Sequence, residues 1–144
     1  TKINEREEAI DEKIIFAVAR KSDVAQGQPI TFDTVIANIG ESMDATSGTF
    51  TAKRKGLWMF TFTAVSASGD EKGVYVRVMK NGNQMFHVED ESKKGGSNIA
   101  SSWMFQLEEN DTVALKLYGT SYNGLHGCSD QDWIHFTGQL LNAT

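Results

Sequence analysis

From residue 14 onward, apolar and polar positions alternate in short runs, which is the pattern of half-buried β-strands. Trp58, Phe60 and Phe62 show it most clearly, because residues two apart in an extended chain point to one face. Turn signals recur roughly every 8 to 12 residues, which predicts about nine or ten strands in an all-β sandwich or jelly roll. The other predicted strands are 14–19, one around Phe50, 73–80, 84–88, 99–107, 112–118 and 133–141.

Residues rich in Gly, Asn and Lys mark the connections between these runs. Asn81-Gly82 is the strongest short-range hairpin signal in the chain. Asn38-Ile39-Gly40 is a loop signal, as is the segment 44–48. The charged segment 53–56, which ends in Gly, predicts a tight hairpin connection from the strand around Phe50 to the strand that follows.

The first thirteen residues differ from the rest because most of them are charged. Ile3 and Ile10 are seven apart, which fits one seam of a coiled coil, but an isolated helix of this length is marginal in water. We expect a short helical or disordered N-terminal arm over 1–13, either a solvated segment or the end of an oligomerising stalk. Residues 14–144 are expected to form one globular domain.

Composition excludes several classes of function. The net charge of -5 disfavours a nucleic-acid-binding role, and no apolar run reaches the length of a membrane span. A single cysteine, Cys128, excludes an intrachain disulfide and leaves a buried residue, a free thiol or an intermolecular bridge. Asn110 and Asn142 begin possible glycosylation triplets, which are weak support for a secreted protein.

Aromatic, Asn and Gly residues recur at fixed spacings and form a core signature, whose residues are Phe32, Asn38, Phe50, Gly56, Trp58, Phe60, Phe62, Phe136 and Gly138. This spaced set resembles the signature of the C1q-domain family, the globular head of the C1q/tumour-necrosis-factor superfamily. Met43 and Trp58 depart from the family pattern, which has other large residues there, and Asn110 replaces the usual Gly of a later turn. The resemblance covers nearly the whole of 15–141.

The resemblance implies a ten-stranded C1q/TNF-like jelly roll that assembles as a homotrimer and is not an enzyme. It implies a secreted, extracellular protein, and the lack of a collagen repeat in the sequence predicts a member without a collagen stalk. Its expected function is lectin-like innate pattern recognition, with carbohydrate or microbial surfaces as ligands. Two alternatives stay open, a signalling ligand that binds a protein receptor and a calcium-binding matrix or biomineral-associated protein.

The long segment 119–132 is the predicted ligand-binding loop, because loops at one end of the jelly roll vary within the family and carry ligand contacts. Its aromatic, amide, imidazole and carboxylate groups could bind a polar ligand, and Trp133 next to it fits a ligand platform or the core equally. Asp130 and Asp132 are hard oxygen donors that fit calcium, the one candidate ion, or else a plain polar loop. The ligand-binding candidates are Tyr122, Asn123, His126, Asp130 and Asp132.

Catalytic motifs are absent from the sequence. His126 and Cys128 are two apart in the same loop, but no third group orients them, so a nucleophile pair is not expected. The acidic run 89–91 is a second, weaker calcium candidate. The basic segment 53–55 offers contacts for an anionic surface, or is simply a solvated turn.

Overall fold

The computed structural model describes residues 13–24, 29–65, 74–90, 98–117 and 134–144. In these ranges the regular structure is entirely β. The strands are β1 (Ile15–Arg20), β2 (Thr34–Ile39), β3 (Met43–Asp44), β4 (Thr49–Thr51), β5 (Gly56–Val65), β6 (Val74–Lys80), β7 (Asn83–Asp90), β8 (Asn98–Leu107), β9 (Thr112–Leu117) and β10 (Ile134–Ala143). The N-terminal arm predicted over 1–13 lies outside the described residues, apart from Lys13.

Two antiparallel five-stranded sheets pack face to face. The first sheet has the order β2-β1-β10-β5-β8, and the second has the order β3-β4-β9-β6-β7. Strands that are distant in sequence therefore lie side by side, as β1 and β10 do at the centre of the first sheet. The predicted ten-stranded jelly-roll sandwich is confirmed.

The core between the sheets is built from aromatic rings on alternate strand positions. Trp58, Phe60 and Phe62 of β5 are fully buried, as the alternation predicted. Phe50 of β4 crosses from the second sheet, and its ring centroid lies 5.0 Å from that of Trp58 and 5.1 Å from that of Phe60 in edge contacts. Such edge-to-face pairs contribute stability beyond the burial of their area.

The signature Asn38 holds the connection between β2 and β3. Its amide Nδ2 donates to the carbonyl of Met43 over 2.8 Å, and its Oδ1 accepts from the Met43 backbone N–H over 3.3 Å. The Met43 side chain is buried in the core, where its flexible chain fills the space of another large apolar residue. The departure at Met43 therefore leaves the core filled.

Backbone conformation explains why Asn and Gly occur at two of the turns. Asn81 and Gly82 have φ of 51° and 80°, so the predicted hairpin joins β6 to β7 through a turn with two left-handed residues. Asn110 has φ of 75°, a region that Asn enters more readily than most residues. Asn110 therefore adopts a left-handed conformation that suits the Gly usual at this position in the family.

Two sequence predictions about connections are wrong. Segment 53–55 does not close a hairpin, because β4 pairs with β9 whereas β5 pairs with β10 and β8 in the other sheet. The segment instead crosses between the sheets, and the Trp58 indole Nε1 donates to the Arg54 carbonyl over 3.2 Å. Asn38 and Ile39 were predicted as loop but belong to β2, which turns only after Ile39.

Candidate functional site

The predicted ligand-binding loop lies outside the described residues. This holds for Tyr122, Asn123, His126, Asp130 and Asp132, and equally for Cys128 and Trp133. The strands that flank the loop are described: β9 ends at Leu117 in the second sheet, and β10 begins at Ile134 in the first. The loop therefore connects the two sheets, and its ligand-binding and calcium-binding roles stay predictions.

The described part of the chain contains no cluster of three or more His, Cys, Asp or Glu side chains that could hold a metal ion. Nor does any helix suited to crossing a membrane occur there. Of the acidic run 89–91, Glu89 is exposed on β7 and lies 3.3 Å from the Nε2 of His87. Glu91 and the side chain of Asp90 lie outside the described residues, so the second calcium candidate stays a prediction.

A row of side chains on the outer face of the first sheet crosses all five strands, and four of its five members are large and apolar. The register aligns Ile39 of β2 with Ile15 of β1 and Met59 of β5 with Met104 of β8, and Gln139 of β10 lies between the two pairs. Ile39 is 55% exposed and Met104 is 59% exposed. Because their strand neighbours turn inward to the core, these side chains form an apolar stripe facing outward.

A second row on the same face consists of small side chains. Thr61 and Ser102 lie opposite each other on β5 and β8, and their hydroxyls share a hydrogen bond of 2.8 Å. Because these side chains are short, they protrude little from the sheet beside the apolar stripe. Its members across the five strands are Ala37, Ala17, Thr137, Thr61 and Ser102.

Exposed apolar area is concentrated on this sheet. Of the six large hydrophobic side chains that are exposed among the described residues, five belong to it. They are Val35, Ile36, Ile39, Met104 and Leu141, whereas Met85 belongs to the second sheet. We call the outer surface of the first sheet, with its apolar stripe and its small row, the apolar face.

Sequence analysis did not identify the apolar face. The alternation along β5 and β8 shows that Met59 and Met104 are opposite to the core-facing rings, but not which strands lie side by side. That arrangement depends on long-range pairing, such as that of Met59 with Gln139. The signal available in sequence was the presence of large apolar residues at outward positions on more than one strand.

The outer face of the second sheet has a different chemistry. Three basic side chains stand directly opposite one another: Lys116 of β9, Arg77 of β6 and His87 of β7. Their neighbours along each strand, including Val76 and Leu117, are buried, so all three side chains point outward. We call this set the basic row.

A polar cluster connects the β6–β7 turn to the turn before β9. The Asn81 amide Nδ2 donates to Asp111 Oδ1 over 3.0 Å, and the Glu108 backbone N–H donates to Asp111 Oδ2 over 2.8 Å. These two hydrogen bonds, the Asn81 bond first, hold the pKa of Asp111 below its ordinary value of 3.8. The cluster is structural, and it fixes the exposed turn that contains Asn110.

The two possible glycosylation sites differ in local structure. Asn110 is exposed in the turn between β8 and β9, and its backbone N–H donates to the Ala52 carbonyl over 2.7 Å. Asn142 is exposed within β10, opposite Leu57 of β5. Modification of either residue remains a prediction.

The match to a family model decides the identity of the chain. The model described as C1q domain matches residues 15–141, which is most of the sequence. The chain belongs to the C1q domain family. The residues that carried the resemblance in sequence are those that fill the core of this C1q domain, such as Phe50, Phe60 and Phe136.

Curated relatives of this C1q domain are parts of longer chains. Collagen alpha-1(X) chain of Mus musculus is 35% identical over 127 residues, which are 86% of this chain and 18% of that protein. Complement C1q tumor necrosis factor-related protein 3 of Homo sapiens is 33% identical over 120 residues, which are 83% of this chain and 47% of that protein. The chain thus spans less than half the length of these relatives.

Solved structures show the same fold at lower identity. The globular domain of zebrafish complement 1qA protein superposes with a TM-score of 0.72 at 20% identity, over 92% of this chain and 100% of that one. The Eiger TNF from S. frugiperda superposes with a TM-score of 0.70 at 11% identity, over 92% of this chain and 94% of that one. Murine APRIL superposes with a TM-score of 0.66 at 9% identity, over 90% of this chain and 100% of that one. None of these matches is to an enzyme family.

Proposed function

We propose that this C1q domain is a non-enzymatic, extracellular recognition module that assembles as a homotrimer and binds carbohydrate or microbial surface ligands. The observation that carries the proposal is the apolar face of the first sheet. It combines exposed Ile39 and Met104 with a low row of small residues. A sheet face with several exposed large apolar side chains marks a protein–protein contact.

A cyclic trimer fits this surface. In such an assembly each copy contacts the next through two different patches, and the ring closes after three copies. The apolar stripe supplies large side chains for the core of the contact, and the small row around Thr61 allows close approach of a neighbouring copy. The family resemblance implies the same assembly.

Trimeric assembly suits recognition of a repetitive surface. Three copies at fixed spacing convert weak single-site contacts into strong binding, because the second and third contacts form within one complex. In this proposal the segment 119–132 supplies the ligand contacts through Tyr122, Asn123 and His126, and Asp130 and Asp132 bind calcium beside them. Carboxylates two apart supply only part of a calcium shell, so backbone and water oxygens complete it.

Glycan-array binding with and without calcium tests the proposed function. The wild type is expected to bind a subset of glycans or whole microbial cells, and EDTA is expected to reduce that binding. The double variant Asp130→Asn/Asp132→Asn should bind equally weakly with calcium and with EDTA. Met104→Glu, which places a carboxylate on the apolar face, should weaken array binding through loss of multivalency, whereas Met85→Glu on the second sheet should not.

The glycan array also distinguishes the proposed function from its two alternatives, a receptor-binding ligand and a calcium-binding matrix protein. No binding to any glycan or microbial surface would contradict the lectin-like role and favour a receptor-binding ligand. Calcium binding by the wild type without glycan binding would favour a matrix protein. Binding that is unchanged in EDTA would remove calcium from the proposal and keep the carbohydrate ligand.

A further inference from the structure

The turn between β8 and β9 presents an amide side chain to solvent. Asn110 is exposed, as are the two glutamates before it. The backbone N–H of Asn110 donates to the Ala52 carbonyl over 2.7 Å, and the Asp111 carboxylate accepts two further hydrogen bonds that hold the turn. The Asn110 side chain can therefore carry a substituent while these bonds stay in place.

Asn110 begins an Asn-Asp-Thr triplet, which is an acceptor sequence for N-linked glycosylation in secreted proteins. In this reaction the Asn Nδ2 attacks the anomeric carbon of an oligosaccharide that is linked to a lipid diphosphate. A C–N glycosidic bond forms, and the bond from the anomeric carbon to the diphosphate oxygen breaks. The lipid diphosphate leaves, and the displaced amide proton passes to a base of the transferase.

The second triplet, which begins at Asn142, has a different structural setting. Asn142 belongs to β10, which lies between β1 and β5, and it pairs with Leu57. Gly56 and Trp58 on either side of Leu57 are buried, so Leu57 and Asn142 point toward the apolar face. A glycan on Asn142 would cover the surface that the proposed trimer buries. Both strands that pair with β10 also precede it in the chain, so they are available to enclose this triplet as soon as it is synthesised.

The turn that contains Asn110 lies away from the surfaces that the proposed function uses. Because β8 belongs to the first sheet and β9 to the second, the turn crosses the end of the sandwich and not an outer face. The turn precedes β9, whereas the predicted ligand-binding loop follows it. β9 has six residues, and at about 3.4 Å per residue its ends lie about 17 Å apart. A glycan on Asn110 would therefore leave the apolar face and the loop uncovered.

We propose that Asn110 is an N-glycosylation site that carries an oligosaccharide in the secreted protein, and that Asn142 stays unmodified. The φ of 75° at Asn110 suits Gly or Asn, and of these two only Asn has an acceptor amide. The inference goes beyond the proposed function. It uses the apolar face only to explain why Asn142 is not the site.

Expression of the chain behind a signal peptide in a eukaryotic secretory cell line tests the inference. Peptide mass spectrometry of the secreted protein, with and without peptide N-glycosidase treatment, measures the glycan occupancy of each Asn. The occupancy of Asn110 is expected to exceed that of Asn142 by about tenfold. Asn110→Gly keeps a residue that suits the left-handed turn and should lose the glycan, whereas Asn142→Gln should keep it.

Three results would contradict the inference. They are an unmodified Asn110 in the secreted wild type, equal occupancy of the two Asn residues, and a glycan that persists in Asn110→Gly. Native removal of the glycan should leave the number of chains in the assembly unchanged, and a change would contradict the position of Asn110 outside the apolar face. Occupancy is read directly from peptide mass, so it tests the site even if the chain is not a trimer and binds no carbohydrate.

Discussion

Gly138 is the residue at which the core leaves no room for a side chain. A Cβ there would overlap the Phe16 ring and lie 3.0 Å from Cδ1 of Phe60. The ring of Phe16 can therefore cross the β10 backbone, and its centroid comes within 5.1 Å of that of Phe136. The signature Gly serves aromatic packing at this position, not backbone freedom.

Gly138→Ala should lower the free energy of unfolding by about 3 kcal/mol, because the added methyl group must displace the Phe16 ring. Urea denaturation at one fixed protein concentration measures this. Phe16→Leu, which shortens the obstructing side chain, is the paired variant. The double variant should lose less stability than the sum of the two single losses, and strict additivity would contradict the account.

Asp111 should make stability depend on pH at the acidic end. Its pKa is lower in the folded chain than the ordinary 3.8. The charged carboxylate therefore stabilises the folded chain above about pH 4, and this stabilisation is lost as pH falls through the folded pKa. At pH 7, Asp111→Asn should be less stable by about 0.5–1 kcal/mol, a modest value because the carboxylate is near solvent.

Urea denaturation at pH 7 and at pH 2.5 measures the stability gap between the wild type and Asp111→Asn. The gap should narrow at the lower pH, because the wild-type carboxylate loses its charge as pH falls through its lowered pKa. Glu109→Gln in the same turn is the control, and its stability should stay close to that of the wild type. A gap of constant size at both pH values would show that the hydrogen bonds of Asp111 do not depend on its charge.

Strand pairing shows how far the sequence could predict the elements. Alternation predicted the strands and their core faces, because burial of one face is a local property of an extended chain. It could not predict that β5 pairs with β10, where Phe62 lies opposite Phe136, because that choice depends on distant segments. The hairpin expected at 53–55 was wrong for this reason. A short connection keeps the ends of two strands close together, but it does not determine whether the two strands pair with each other.

The candidate site could be predicted even less well. The segment 119–132 was chosen for its residue types and the family resemblance, and its role stays a prediction. The apolar face and the basic row each combine residues from strands far apart in sequence, such as Arg77 and Lys116. Only the register of the folded sheets brings these side chains together.

The β6–β7 hairpin provides a test of turn conformation alone. Gly82 has φ of 80°, and a Cβ at this position would meet no atom within 4 Å. Gly82→Ala should therefore lower the free energy of unfolding by about 1 kcal/mol through backbone strain without any clash. Thermal or urea denaturation checks this, with Asn83→Ala on the exposed start of β7 as a control that should stay within about 0.5 kcal/mol of the wild type.

At the scale of the whole molecule, the two outer faces of the sandwich differ in chemistry. The first sheet carries five of the six exposed large hydrophobic side chains among the described residues, and the outer face of the other sheet presents the basic row. In the proposed trimer the apolar face is buried between copies and the outer face of the second sheet stays in contact with solvent.

The solution mass of the chain tests the central claim most directly. Light scattering at micromolar concentration should give three times the chain mass of 15.9 kDa for the wild type and for Met85→Glu. Met104→Glu should give the mass of a single folded chain, because its carboxylate would be buried without a partner in the contact. A wild type with the mass of one chain, or a Met104→Glu variant that remains trimeric, would contradict the account.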